Sequence, residues 1–157
     1  MSEPALLQIY VDADACPVKD EVVRVAERHG LPVHIVSNSG MRPSGHPLVR
    51  QVVVAQGPDA ADDWIAEHVM DDDICITADI PLASRCLEKG ARALRPDGKL
   101  FTKESIGMAL AMRDLMQQLR EAGDVKGTNP AFTREDRSRF LRELETTIQA
   151  VRRAKSL

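Results

Sequence analysis

Asp12 and Asp14 stand two residues apart where the apolar run Ile9-Tyr10-Val11 ends. Burying an unpaired carboxylate is costly, so acids at the end of a buried strand are usually paired or bound to a cation. Residues i and i+2 of a strand point to the same side. If extended geometry continues to position 14, Asp12 and Asp14 face one cation together. The alternative for Asp14 is to cap the helix that Pro17 begins; that leaves Asp12 unexplained. Two further acids, Asp62 and Asp79, fall at points where a strand gives way to a helix. Clustered carboxylates repel one another unless something positive lies between them. An oxygen-only set, Asp12, Asp14, Asp62 and Asp79, suits Mg²⁺ or Mn²⁺, which keep waters and bind phosphate oxygens. Ions so held activate water and neutralise a leaving oxygen in phosphodiester cleavage. Ser37 and Asn38 also end a strand, where they either bind phosphate or simply turn the chain.

These residues need strands that end on one edge. The pattern predicts strands over Leu6 to Val11, Pro32 to Val36, Val49 to Val54, Ile74 to Thr77 and Ala91 to Leu94. Helices are predicted from Pro17 to His29, about Asp59 to Met70, Ile80 to Lys89 and Lys103 to Ala122, with a C-terminal helix over about 134–153. Ile106, Leu110, Met112, Leu115 and Leu119 give the long fourth helix an apolar side, and Thr133 with Asp136 forms a variant capping box for the fifth. Gly123 to Pro130 reads as a loop. Alternating strands and helices predict a three-layer α/β/α sandwich with a mostly parallel sheet. In such a fold every parallel strand ends on the same edge, where ligands bind.

With 157 residues the chain fits one domain, 1–157. A net charge of −3 argues against a protein that coats nucleic acid by bulk charge, though a local basic groove remains open. Arg42, Arg50, Arg85, Lys99 and Lys103 are candidates for such a groove, each being as readily a solvated surface residue. The three cysteines lack metal-ligand or disulfide spacing and suggest a reducing compartment. The N-terminus lacks the features of a signal peptide, and no apolar run reaches membrane-spanning length, so the cytoplasm is the expected location. Cys16, near a helix start, is a candidate for a lowered pKa. His68 falls on the core face of its helix. Aromatic content is 3%, which offers no evident platform for stacking bases.

The segments VDADACPVKDEV, GPDAADDWIAEHV, ITADIPLA, FTKESIGMALAMRDLMQQLRE and FTREDRSRFL, in this order, resemble the YaiI/YqxD family of uncharacterised bacterial proteins. The similarity runs from about Gln8 to Leu141. That family is in turn similar to PIN-like nucleases. The resemblance implies a PIN-like fold, and catalytic and metal-binding roles for Asp12, Asp62 and Asp79. A fourth acid of the PIN pattern has no clear match: Glu21 and Glu27 sit in its region outside any motif, and Asp14 is the candidate substitute.

Three functions are compatible with this reading. The first is a Mg²⁺- or Mn²⁺-dependent nuclease acting on RNA or DNA. The second is a phosphatase of the haloacid-dehalogenase kind using Asp12 and Asp14, with Ser37 as the phosphate-binding hydroxyl. The third is a non-catalytic domain that binds nucleotide or RNA.

Overall fold

The computed structural model describes residues 7–40, 42, 44–55, 57, 59–123 and 131–155. Leu6, Met41, Pro43, Gln56, Pro58 and residues 124–130 of the loop expected over Gly123 to Pro130 lie outside the described residues. Six strands form one sheet: β1 (Ile9–Asp12), β2 (Val33–Ser37), β3 (Val49–Val53), β4 (Ile74–Ile76), β5 (Arg92–Leu94) and β6 (Leu100–Phe101). Their spatial order is β3-β2-β1-β4-β5-β6. The first five are parallel, and β6 runs antiparallel to β5. The helices are α1 (Lys19–His29), α2 (Ala60–His68), α3 (Ile80–Glu88), α4 (Lys103–Glu121) and α5 (Arg134–Lys155).

Strand alternation divides the core. Ile9, Val11, Ile74 and Ile76 pack with Val18, Val22 and Val25 of the α1 segment and Phe140, Leu144 and Ile148 of α5. Tyr10, Val36 and Cys75 pack on the other face with Ile65 of α2 and Leu82 and Cys86 of α3. The result is a three-layer α/β/α sandwich. With a period of two, Asp12 and Thr77 belong to the face that carries Tyr10 and Cys75.

Several elements differ from the sequence reading. α1 starts at Lys19, not Pro17, because Val18 takes a non-helical conformation (φ −118°, ψ 23°) and stands as the N-cap. A short 3₁₀ turn, Ala13–Ala15, directly follows β1. The strand β6 was not predicted; two residues are too few for a visible alternation. α2, expected from about Asp59 to Met70, runs from Ala60 to His68, with Asp59 at the N-cap position and no capping bond from its side chain. His68 is exposed rather than in the core, its ring stacked on Trp64 at 3.8 Å between centroids. Burial pushes the Cys16 thiol up to about 11, against a lowered value. The capping box at Thr133 and Asp136 forms as predicted, with two reciprocal 3.0 Å bonds.

α5 runs alongside α1 in the same direction, since Arg137 pairs with Glu21 and Glu145 with Arg28 and His29. Both N-termini therefore lie at the carboxyl edge of the sheet. Glu21 is 8% exposed, and Arg137 supplies its only charged partner among the described residues. Arg137→Ala should leave a buried carboxylate uncompensated and cost about 2 kcal/mol, the solvent-facing side of the arginine moderating the loss. Urea denaturation would measure this. A Glu21→Leu/Arg137→Leu double substitution should recover most of the stability, and no recovery would refute the charge explanation.

Candidate active site

The site is built where β1, β4 and α2 meet. β1 and β4 are neighbours, with Val11 opposite Ile76, so the next residues, Asp12 and Thr77, lie side by side. Thr77 is buried, and its hydroxyl donates to Asp12 Oδ2 at 2.8 Å. The same Oγ1 accepts from the Asp79 backbone N–H at 2.9 Å. Asp79 in turn caps α3, its Oδ1 accepting from the Leu82 N–H at 2.8 Å. One threonine thus fixes two strand-end acids relative to each other. The sequence reading noted Thr77 only as part of a motif and missed this role. Its position two residues before Asp79, where a strand ends, was the available signal.

Asp62 arrives from the first turn of α2 and has no hydrogen-bond or ion-pair partner among the described residues. Its neighbour Asp63 points away and pairs with Arg85 at 2.7 Å. Burial, reinforced by the charges of Asp79, Asp12, Asp59 and Asp63, pushes the Asp62 carboxyl up to about 7. Burial also raises Asp12, with the Thr77 bond opposing and Asp79 and Asp14 adding to the rise. The charge of Asp79 thus reaches both Asp12 and Asp62, and the charge of Asp12 reaches Asp62.

Asp14 is placed differently. The 3₁₀ turn ends the strand alternation at Asp12, so the two acids are no longer i and i+2 of one strand. Asp14 instead accepts from Ser37 Oγ at 2.5 Å and from the Asn38 N–H at 3.1 Å. Asn38 Nδ2 donates to the Gly57 carbonyl at 3.1 Å. Ser37 and Asn38 thus tie the end of β2 to the turn after β1 and to the approach to α2. Asn38 Oδ1 is buried without a partner among the described residues.

Among the described residues, no three His, Cys, Asp or Glu side chains are grouped as a ready-made metal site. The donor chemistry nonetheless fits a hard divalent ion: Asp12 Oδ1, Asp79 Oδ2 and both Asp62 oxygens carry no hydrogen bond among the described residues, and all are carboxylate oxygens.

Fold and site together define an α/β protein with acidic side chains gathered at the carboxyl edge of a mostly parallel sheet. The chain belongs to the family described as "Uncharacterized BCR, YaiI/YqxD family", whose match spans residues 10–150. It is 73% identical over 148 residues to a UPF0178 protein of Parvibaculum lavamentivorans, covering 94% of this chain and 97% of the relative. It is 59% identical over 150 residues to a UPF0178 protein of Rhodospirillum rubrum, covering 95% and 100%. A UPF0178 protein of Agrobacterium fabrum is 56% identical over 153 residues, covering 98% and 100%. No solved structure matches the chain. No helix among the described residues is long and apolar enough to cross a membrane.

Proposed function

We propose that this protein is a PIN-like, metal-dependent nuclease that cleaves phosphodiester bonds in RNA or DNA. The observation that carries the reading is the Asp12–Thr77–Asp79 connection, which locks two carboxylates at adjacent strand ends, while Asp62 at the start of α2 has no partner among the described residues. Asp12, Asp62 and Asp79 would hold Mg²⁺ or Mn²⁺. When bound, the ion supplies an activated water and neutralises the leaving oxygen. Thr77 positions Asp12, and the start of α3 holds Asp79 in place. Asp14, Ser37 and Asn38 brace the neighbouring strand end.

A nucleic-acid substrate is supported by cations at the same edge. Arg134, Glu135, Ser138, Arg139 and Arg142 line a groove on the first turns of α5, with Arg139 paired to Asp136. Arg134 and Arg142 are exposed and have no ion-pair partner among the described residues. Such a groove can follow a phosphate backbone although the whole chain is acidic. Three free cysteines suit the cytoplasm. The phosphatase reading has less support, because Asp14 is already committed to Ser37 and Asn38.

The test is incubation with labelled single- and double-stranded RNA and DNA, with Mn²⁺, Mg²⁺ or chelator. Cleavage should require the ion and disappear in Asp12→Asn and Asp79→Asn, while oligonucleotide binding persists. Absence of cleavage on every substrate, together with retained binding, would favour the non-catalytic reading. A trapped phosphoryl group on Asp12 would establish the phosphatase instead.

A further inference from the structure

The two helices that bring acids to the site carry almost no positive charge. Asp62 stands in the first turn of α2, and Asp79 caps α3. Arg85 of α3 is the one lysine or arginine in either helix. A backbone phosphate arriving at this edge meets the carboxylates of Asp12, Asp62, Asp63 and Asp79, all of them repulsive. A cation at the rim is therefore the group that can hold such an anion against the acids.

Arg85 is placed for this. Helical side chains lean toward the N-terminus of their helix, and that end of α3 carries Asp79. The guanidinium arrives at the first turn of α2, where Nη1 donates to Asp63 Oδ1 at 2.7 Å. Asp63 is the residue next to Asp62. The bond to Asp63, with the charges of Asp63 and Asp62, raises the Arg85 pKa against the opposing effect of burial. The two side chains are 45% and 54% exposed. A pair this open to water is weakly held and exchanges readily. Among the described residues Asp63 is the only hydrogen-bond partner of the Arg85 side chain, so most of its five N–H donors remain open.

We propose that Arg85 is a substrate-binding residue, which exchanges Asp63 for a non-bridging phosphate oxygen of a nucleic-acid backbone beside the acidic cluster. The inference rests on the nuclease reading and names a group that would hold its substrate. A planar guanidinium suits this task, because its fork matches two phosphate oxygens at once. Asp63 keeps the arginine at the rim until the anion arrives. The α5 arginines belong to the layer on the other face of the sheet, so cations stand on both sides of the carboxyl edge. An ion pair that merely fastens α2 to α3 predicts the same effect from removing either partner. A binding arginine predicts opposite effects.

Fluorescence anisotropy with labelled single- and double-stranded RNA and DNA tests this, with Ca²⁺ in place of Mn²⁺ to slow cleavage. Arg85→Gln should raise the dissociation constant about tenfold. It should also lower the slope of log affinity against log salt by about 0.7 on single strands and about 0.9 on duplexes, the loss of one phosphate contact. Arg85→Lys keeps the charge without the fork and should fall between. Asp63→Asn should tighten binding by about threefold, the strength of an exposed pair. Asp59→Asn removes the same charge from the start of α2 without releasing an arginine and should tighten it less. In the Arg85→Gln background, Asp63→Asn should do no more than Asp59→Asn. Each single variant should melt with the wild type. If Arg85→Gln binds as the wild type does, or if Arg85→Gln and Asp63→Asn weaken binding alike, the proposal is overturned and the nuclease reading stands. If the wild type binds none of these substrates, the nuclease reading falls and this inference falls with it.

Discussion

Gly98→Ala should be among the most destabilising single substitutions in this chain, by about 3–5 kcal/mol. Gly98 lies in the five-residue connection between β5 and β6, with its N–H donating to the Arg95 carbonyl at 2.9 Å. Its φ is +92°, a region that side chains rarely adopt, and entering it costs about 1–2 kcal/mol. A Cβ here would sit 2.7 Å from the Arg139 carbonyl carbon, the Arg139 Cγ and the Phe140 nitrogen. Two of those atoms are helix backbone, so α5 itself would have to retreat. Overpacking of this kind typically adds about 1–3 kcal/mol. The retreat would also lift Phe140, which is completely buried, from the α1–α5 layer. Gly107→Ala is the control: its Cβ would meet nothing within 4 Å, in a regular helix, and should stabilise by about 0.5–1 kcal/mol. Urea unfolding of both variants would settle the matter. Equal, small effects would mean that α5 does not press on the β5–β6 turn.

The second large effect joins pH, Asp62 and a divalent cation. In the unfolded chain Asp62 ionises near its ordinary value of 3.8; in the fold it does so at about 7. Between those values the folded state keeps a proton that the unfolded state has lost. The contribution of Asp62 is therefore fully favourable below about pH 4 and is lost as pH rises to about 7. Asp62→Asn should remove this slope, leaving stability at pH 4 little changed and raising it at pH 8. Asp62 is half-exposed, so solvent screening limits the gain to about 1–2 kcal/mol.

A cation relieves the same repulsion. If the proposed site holds Mn²⁺, the ion at a hundredfold excess over its dissociation constant should stabilise the protein by about 2.7 kcal/mol at pH 8. That corresponds to about 5–10 °C in melting temperature for a chain of this size. At pH 5 the ion must displace the Asp62 proton, and affinity should fall by up to about a hundredfold. Thermal melts at both pH values, with and without Mn²⁺, provide the readout. No shift at pH 8, or an equal shift in an Asp12→Asn/Asp79→Asn variant, would remove the physical basis of the metal proposal.

The layers of this fold were legible in the order of residues alone. Runs such as Ile9-Tyr10-Val11 and Ile74-Cys75-Ile76 are apolar on both faces, which only a covered central strand tolerates, and the helical segments between them require a mostly parallel sheet. Placing Asp12 and Asp79 at strand ends followed from that pattern, because punctuation by turn residues is local. The reach of each side chain was not legible, because it depends on contacts distant in sequence. Asp14 is held by Ser37 and Asn38, 23 and 24 residues away. Glu21 is held by Arg137, 116 residues away. The apolar residues of α4 showed the right periodicity, yet periodicity specifies a face and not what covers it. Tertiary packing turned Ile106 toward α3 and left Met108, Met112 and Leu115 outside. Thr77 shows both limits together: its place at the end of β4 is written in the sequence, but its bond to Asp12 exists only because β4 pairs with β1.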